Sequence, residues 1–446
     1  MIRLSNILGV YRLALPLAVS NLIVFASGAI DYFFIGRLGE QELAAASLAF
    51  NLYFFIKILG DGIILAIIPM LGKLVEAGAY KEATQVVLNS VIALAVVSLL
   101  ASPFLIGGEW LLNVLEQPRE LTSLMFPLFL SLTISLLPSF VFTILVTYLS
   151  VLHAPWEVFK QSLLYLLAKL LVGYCLFMVF DVGLPSVGIS TLLCSFMAIL
   201  VAGDHLYRKR RIVFSANRFK FSRHLVSQVL AIGTPIGLLE LSTIASTMVA
   251  AFFMSPFGES AIAANALAVL SIEIVIVLMF GFSDASAILV SKSISLSESR
   301  RNIISVLFAG LLFSIVLLLV MFAFKGDIPI LFLPDSSGSA DTLQLTEDFI
   351  EIALFLFVFD SVAIILRGVM QGYGETGKQL FISLLGNWPI GLGLGLALAY
   401  AGGFDAKGIW YGMAAGHLFT FAGMVLLVIF RDKEQRLDSK ARSLTS

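Results

Sequence analysis

Long apolar stretches alternate with short polar connections along almost the whole chain. Twelve stretches are long enough to cross a bilayer, at residues 13–36, 43–72, 84–106, 121–149, 158–180, 184–207, 228–255, 261–291, 302–324, 345–373, 379–401 and 407–430. A helix needs about 20 apolar residues to span a hydrocarbon core about 30 Å thick. The runs are continuous rather than alternating, which indicates helices. The pattern therefore predicts an all-α polytopic membrane protein with twelve transmembrane helices.

The composition supports a membrane protein and excludes several other classes. Hydrophobic residues make up 59% of the 446 positions and charged residues only 13%, whereas soluble domains have about 25% charged residues. Soluble enzymes, disordered proteins and nucleic-acid binders are therefore excluded. The two cysteines, Cys175 and Cys194, both lie in apolar runs, so they indicate neither a disulfide framework nor a metal site.

The basic residues predict the orientation in the membrane. Of the lysines and arginines in the connections, at the ends of the predicted spans and in the termini, 21 fall on the side that holds both termini and 4 fall on the other side. Positive charge collects on the cytoplasmic side of membrane proteins. We therefore expect a multi-pass plasma (inner) membrane protein with both termini in the cytoplasm.

The two halves of the chain repeat each other at a shift of 219 residues. The shift aligns Pro16 with Pro235 and gives 16 identities over the 58 positions from Pro16 to Lys73. Each repeat holds six predicted helices, so both enter the membrane in the same sense. We therefore predict two six-helix lobes related by a pseudo-twofold axis along the membrane normal, as in alternating-access transporters. The predicted parts are an N-terminal lobe at 1–207, a basic cytoplasmic linker at 208–227, a C-terminal lobe at 228–430 and a cytoplasmic tail at 431–446.

Among the ionisable residues inside the predicted spans we single out nine, because each costs about 2.5–3.5 kcal/mol to insert at the bilayer centre. The acids are Asp31, Asp61, Glu240, Glu273, Asp284 and Asp360, and the bases are Lys57, Lys169 and Arg367. The surplus of acids favours sites that hold protons or cations, because a purely structural set of ion pairs would balance. A structural interpretation stays open for Lys57 and Asp61, which lie four residues apart on one helix face and can neutralise each other.

The deepest of these groups are the candidates for coupling transport to an ion. We assign proton or cation coupling to Asp31, Asp360, Glu240 and Lys169. The candidates for the substrate cavity are Asn21, Asn51, Glu273, Asp284, Arg367 and Asn387. The alternative is that such residues make buried hydrogen bonds between helices, and this is our interpretation of the lone membrane histidine, His417.

Several motifs resemble those of the multidrug and toxic compound extrusion (MATE) family, in its bacterial NorM-like and DinF-like branches. They are Leu13-Ala14-Leu15-Pro16 with Asp31 and Gly36-Arg37-Leu38-Gly39, then Gly233-Thr234-Pro235, Phe257-Gly258-Glu259, Leu366-Arg367-Gly368 and Gly408-Ile409-Trp410. No single motif is very specific, but their order and spacing cover nearly the whole chain.

The resemblance implies two six-helix lobes that form a V. It also implies export of drugs or metabolites, often cationic and aromatic, driven by inward flow of sodium ions or protons. Asp31 matches the first-helix acid that such proteins use in coupling. Asp360 matches the tenth-helix acid of the NorM-like branch, which contributes to cation coupling in the C-terminal lobe.

The sequence departs from the family pattern at two coupling positions. Thr243 stands where the NorM-like branch has a seventh-helix acid, and Glu240 lies three residues earlier. In the fifth helix, where many relatives carry an Asn-x-x-x-Asp pair, this chain has Lys169. If Lys169 pairs with Asp31, its ammonium takes the place of a cation. A proton, or opening of the pair as substrate enters, is then a better hypothesis than sodium.

Two other functions were weighed against transport of this kind. A lipid-linked precursor flippase of a related exporter superfamily would need several cations for pyrophosphate, yet acids outnumber bases in the spans. An intramembrane enzyme would need a catalytic motif, and the sequence has no HExxH, G-x-S-x-G or P-loop.

We therefore predict a secondary active antiporter that exports organic, cationic or amphipathic solutes. The coupling ion is a proton or sodium, and we expect no metal or other cofactor. The expected partners are a small organic substrate and membrane lipid, with no nucleic acid, and the expected oligomeric state is a monomer.

Overall fold

A computed structural model describes residues 4–114, 116, 119–122, 124–209, 211–212, 220–327 and 340–445 of the chain. Within these residues all regular secondary structure is helical, and twelve helical segments are long and apolar enough to cross a membrane. We number them span 1 to span 12. They are Leu4–Ile35, Glu40–Glu76, Tyr80–Ile106, Met125–Val151, Pro155–Val179, Ser186–Arg208, Arg223–Phe257, Glu259–Lys292, Leu296–Phe324, Ala340–Tyr373, Gly377–Tyr400 and Asp405–Glu434. The prediction of twelve helical spans is confirmed.

The helices extend beyond the apolar runs that revealed them. Span 1 begins at Leu4 rather than near residue 13, and the helix of span 12 runs from Asp405 to Thr445. Hydropathy detects only the part of a helix that lies in hydrocarbon. The polar ends of the same helices continue without an apolar signal. Of the predicted linker, residue 210 and residues 213–219 lie outside the described part.

Four spans depart from regular α-helix, and in span 7 the departure is the 3₁₀ turn Ser255–Phe257 at its end. Span 2 consists of two helices, Glu40–Ile64 and Ile67–Glu76. Span 5 is α-helical over Pro155–Tyr174 and ends in a π-helical turn at Cys175–Val179. π-helical turns are rare in proteins, but those that occur are often found at functional sites.

The longer π-helical segment lies in the middle of span 11. It covers Gly386–Gly393, between α-helices Gly377–Leu385 and Leu394–Tyr400, and it contains Pro389. Proline has no backbone N–H and its ring clashes with the preceding turn. The wider helical turn accommodates the interruption that Pro389 causes.

Short helical pieces complete the described connections. They are Gly108–Val114 and Arg119–Thr122.

The chain divides into two compact units. We call residues 19–238 the N-terminal unit, and residues 1–18 together with 239–446 the C-terminal unit.

Glycines allow close helix contacts inside each unit. In the N-terminal unit, a Cβ atom on Gly62 would lie 2.3 Å from the Cα atom of Gly237. In the C-terminal unit, a Cβ atom on Gly416 would lie 2.3 Å from the carbonyl oxygen of Gly386. Real Cβ atoms do not approach other atoms this closely, so any side chain at these positions would push the helices apart. The second contact fixes span 12 against the π-helical segment of span 11.

Many of the large apolar side chains point outward. Examples with strong exposure are Leu99, Leu100, Leu200, Phe252 and Phe355. Exposed apolar patches of this extent indicate contact with membrane or another apolar partner, which agrees with the twelve spans.

Candidate functional site

The N-terminal unit contains a buried ion pair between span 1 and span 5. The Lys169 Nζ atom donates a hydrogen bond to the Asp31 Oδ2 atom at 2.7 Å, and both side chains are buried. Lys169 also donates to the Thr191 Oγ1 atom of span 6 at 3.3 Å. The ammonium of Lys169 therefore neutralises the Asp31 carboxylate directly.

The helical period of span 5 sets the surroundings of Lys169. Gln161, Tyr165 and Lys169 are four residues apart and all three are buried, as expected for one face of a helix. The Tyr165 ring stacks on Phe142 of span 4, with ring centroids 5.1 Å apart. This packing fixes the face that carries Lys169 toward Asp31.

A second ion pair of the N-terminal unit lies within span 2. The Lys57 Nζ atom is 2.5 Å from the Asp61 Oδ2 atom, and the ammonium also lies over the Phe140 ring, 5.2 Å from its centroid. The Asp61 side chain is 39% exposed. This contact supports the interpretation that Lys57 and Asp61 neutralise each other within span 2.

The C-terminal unit pairs its own buried acid with a histidine. The His417 Nδ1 atom of span 12 is 2.9 Å from the Asp360 Oδ1 atom of span 10. Arg367, two turns after Asp360, is only 7% exposed, and its Nε atom is buried without a hydrogen-bond partner. The charge of Arg367 acts on Asp360, on His417 and on Glu240 of span 7. Four ionisable groups from three spans thus form one cluster.

A small cavity beside this cluster is lined mainly by hydrogen-bonding groups. We call it the polar pocket, and its lining residues are Thr243, Ser246, Thr247, Asn387, Gly391, Leu392, Met413 and His417. Asn387 donates through Nδ2 to the Thr243 Oγ1 atom at 3.1 Å, and Trp388 donates through Nε1 to the Ser242 Oγ atom at 2.8 Å. Both donors belong to the π-helical segment of span 11, so that segment forms one wall of the polar pocket.

The predicted cavity residues are divided between the two units. Asn21 and Asn51 belong to the N-terminal unit. The other four, Glu273, Asp284, Arg367 and Asn387, belong to the C-terminal unit. Asn387 alone among the six lines the polar pocket.

Their exposure also differs. Asn51 and Glu273 are exposed, Asn21, Asp284 and Asn387 are partly buried, and Arg367 is buried.

The predictions from the sequence did not include the pocket hydroxyl groups and gave no partner for His417. Thr243, Ser246 and Thr247 are three or four residues apart in an apolar span, and this spacing places them on one helix face. That spacing was a usable signal for the pocket wall. No local signal links His417 to Asp360, because they lie on different helices 57 residues apart.

The two units have one chemical arrangement in common. Asp31 and Asp360 are both buried, and each is held by a base on another span of its unit. Among the described residues no group of three or more His, Cys, Asp and Glu side chains is arranged to hold a metal ion.

Known proteins with similar sequences and structures are transporters by name. A probable multidrug resistance protein NorM of Bradyrhizobium diazoefficiens is 26% identical, over 93% of this chain and 91% of that protein. Among solved structures, the eukaryotic MATE transporter AtDTX14 has a TM-score of 0.85 at 16% identity and covers 98% of this chain and 99% of its own. The Vibrio cholerae MATE transporter VcmN in the bent form has a TM-score of 0.83 at 17% identity, with coverages of 97% and 98%.

The match to a family model follows the internal repeat. The model of the MatE family matches residues 16–155 and residues 235–396, which is more than half of the chain. The two matched segments begin at Pro16 and Pro235, the residues that the 219-residue shift superimposes. The resemblance noted in the sequence motifs is confirmed, and the chain belongs to the MatE family of MATE transporters.

Proposed function

We propose that this protein is a secondary antiporter that exports organic cations or amphipathic solutes in exchange for protons. Membership of the MatE family makes the chain an integral membrane transporter rather than an enzyme. The similar NorM proteins are named for multidrug resistance, which supports drug-like or metabolite-like substrates. Transport would proceed by alternating access, because the repeated sequence predicts two lobes that can rock against each other.

The contact between Lys169 and Asp31 is the observation that carries the choice of ion. Sodium would have to replace an ammonium that already lies 2.7 Å from the carboxylate. A proton needs no coordination shell, and it neutralises the carboxylate with a single O–H bond. A cationic substrate can offer its own N–H donors in place of those of Lys169.

The basic residues support an orientation for this transporter. We place it in the plasma (inner) membrane with both termini in the cytoplasm, where the lysines and arginines outside the spans are concentrated. We propose that it acts as a monomer.

Reconstitution with separate ion gradients tests the proposal. The protein in liposomes is given a proton gradient or a sodium gradient, and export of the fluorescent organic cation ethidium is followed. We expect the proton gradient alone to drive export in the native protein. The Asp31→Asn variant should still fold, with a lower melting temperature because Lys169 loses its buried partner, and it should lose gradient-driven export.

Asp61→Asn is the matched control, because it makes the same change in the half-exposed pair of the same unit. It should retain proton-driven export. Export driven by sodium alone, or full proton-driven export by the Asp31→Asn variant, would overturn the assignment.

A further inference from the structure

The two buried acids are held by bases of very different chemistry. Lys169 is a strong base whose side chain is only 6% exposed, whereas the His417 side chain is 33% exposed and lines the polar pocket. Histidine is the side chain whose ordinary titration, near pH 6.5, falls in the physiological range. A proton can therefore reach His417 from the polar pocket and leave it again, while the ammonium of Lys169 stays in place.

The charges around His417 come from two helices in the described part of the unit. Asp360 and Arg367, both on span 10, are the charged groups that act on the imidazole. Span 7 contributes Glu240, on which the charge of Arg367 also acts. Spans 7 and 11 line the polar pocket with uncharged groups, the hydroxyls of Thr243, Ser246 and Thr247 and the amide of Asn387. His417 is thus the group through which the net charge beside the pocket can change.

We propose that His417 is the pH-responsive residue of the C-terminal unit, and that its proton competes with a positively charged group in the polar pocket for the negative charge of Asp360. This inference rests on the proposed function, since it concerns how protons and a cationic substrate exchange. It assigns to His417 a role that neither the sequence motifs nor the family resemblance gave it.

One proton on His417 is exchanged for one positive charge of a substrate in the polar pocket. With His417 protonated, its imidazolium neutralises Asp360, and the pocket has no net attraction for a cation. When His417 loses that proton to the pocket, Asp360 keeps its negative charge, and the hydroxyl and amide oxygens offer hydrogen-bond acceptors for an ammonium or iminium group. Rebinding of the proton expels the cation. Because only one of the two can be held, proton entry and cation exit are linked.

Arg367 and Glu240 carry opposite charges, and the charge of Arg367 acts on Glu240, so their charges offset each other in the net charge of this group of residues. The pair then sets the sign of the local charge, neutral with the proton and negative without it. A substrate without positive charge gains nothing from this change.

Binding measurements across pH test the competition. The purified protein in detergent is titrated with ethidium, followed by fluorescence, between pH 5.5 and pH 8.5. Competition with a single proton changes an apparent affinity by up to about tenfold per pH unit. We expect the native protein to bind ethidium at least about tenfold more weakly at pH 5.5 than at pH 8.5. In the His417→Gln variant the affinities at the two pH values should differ by less than about twofold.

Three further variants separate the alternatives. His224→Gln makes the same change at an exposed histidine and should keep the native pH dependence. Asp360→Asn should bind ethidium weakly at every pH, because the competed charge is gone. Asp31→Asn should keep the pH dependence of binding while it loses proton-driven export, which separates the two units. Size-exclusion profiles and melting temperatures verify that each variant is folded.

A measurement on the native protein does not depend on the folding of a His417 variant. The chain has four histidines, and their imidazole signals can be followed by NMR of histidine-labelled protein. The signal of His417 should meet three conditions together. It should titrate in this pH range, change toward its neutral form when ethidium is added, and be altered in the Asp360→Asn variant. If no histidine signal responds to ethidium, the proposal is wrong.

The outcomes distinguish this inference from the proposed function. Native pH dependence of binding in a folded His417→Gln protein overturns the role of His417, and proton-driven export then stands on its own test. Absence of proton-driven export in the native protein contradicts the antiport proposal. In that case a lost pH dependence in His417→Gln still supports the competition at Asp360.

Discussion

Replacement of Lys169 by methionine tests how much the buried pair of the N-terminal unit contributes to stability. Methionine keeps the unbranched, apolar part of the side chain and removes the ammonium that lies 2.7 Å from Asp31. The carboxylate is then buried without a charged partner, and breaking such a pair costs about 3–5 kcal/mol. The variant also loses the longer hydrogen bond that Lys169 donates to Thr191 at 3.3 Å, and this loss is smaller.

Protonation sets a ceiling on this cost. A carboxyl group with an ordinary pKa of about 3.9 requires about 4 kcal/mol to be protonated at pH 7. The Lys169→Met protein can relieve its buried charge in this way, so its destabilisation cannot exceed roughly that figure. The ceiling falls by about 1.4 kcal/mol for each unit by which the pH is lowered. The destabilisation should therefore be largest at neutral and alkaline pH and should shrink in acid.

Thermal unfolding in detergent is the appropriate assay. One kcal/mol shifts the melting temperature by about 2–4 °C for chains of 150–250 residues, and by roughly half as much for a chain of this length. We expect Lys169→Met to melt roughly 4–8 °C below the native protein at pH 7. The double variant Asp31→Asn with Lys169→Met carries no buried charge and should recover most of the loss. Equal melting temperatures of the single and double variants would refute the reasoning.

Two further predictions concern packing and the described end of the linker. Gly416→Ala would place a methyl group 2.3 Å from the Gly386 carbonyl oxygen and should destabilise the protein by about 1–3 kcal/mol. The control is Gly28→Ala, whose Cβ atom would meet no atom within 4 Å. Similar melting temperatures of the two variants would contradict the prediction. Asn89→Ala removes the side chain that accepts a hydrogen bond from the Ser222 backbone N–H at 2.8 Å and should cost about 1–3 kcal/mol, measured as a lower melting temperature together with faster proteolysis near Ser222. Unchanged proteolysis would show that this contact does not hold the linker.

Sequence reasoning was most successful where the physical signal is local and strong. A run of about 20 apolar residues identifies a span by itself, and all twelve were found. The interruptions escaped because a π turn leaves the composition of a span unchanged. Pro389, in a segment that also contains Gly386, Gly391 and Gly393, was the available hint of the wide turn in span 11.

The candidate site was only partly predictable. Asp31 and Lys169 were brought together by the family resemblance, which indicates which helices face each other, and the structure shows their contact. Asp360 was identified in the same way, but its partner was not. Contacts between distant helices depend on how each helix is rotated about its axis, and an apolar span with a single polar residue gives almost no information about that rotation.

The distance along the chain between Asp31 and Lys169 has a consequence for biogenesis. The two residues are 138 positions apart, and ribosomes add about 5–20 residues per second. Span 1 therefore enters the translocation machinery roughly 7–28 s before span 5 can deliver the neutralising lysine. During that interval the nascent helix carries an unpaired acid, which costs about 2.5–3.5 kcal/mol in the hydrocarbon core. Arrival of span 5 removes this cost, so the first helix of the transporter reaches its full stability in the membrane only after the fifth has been made.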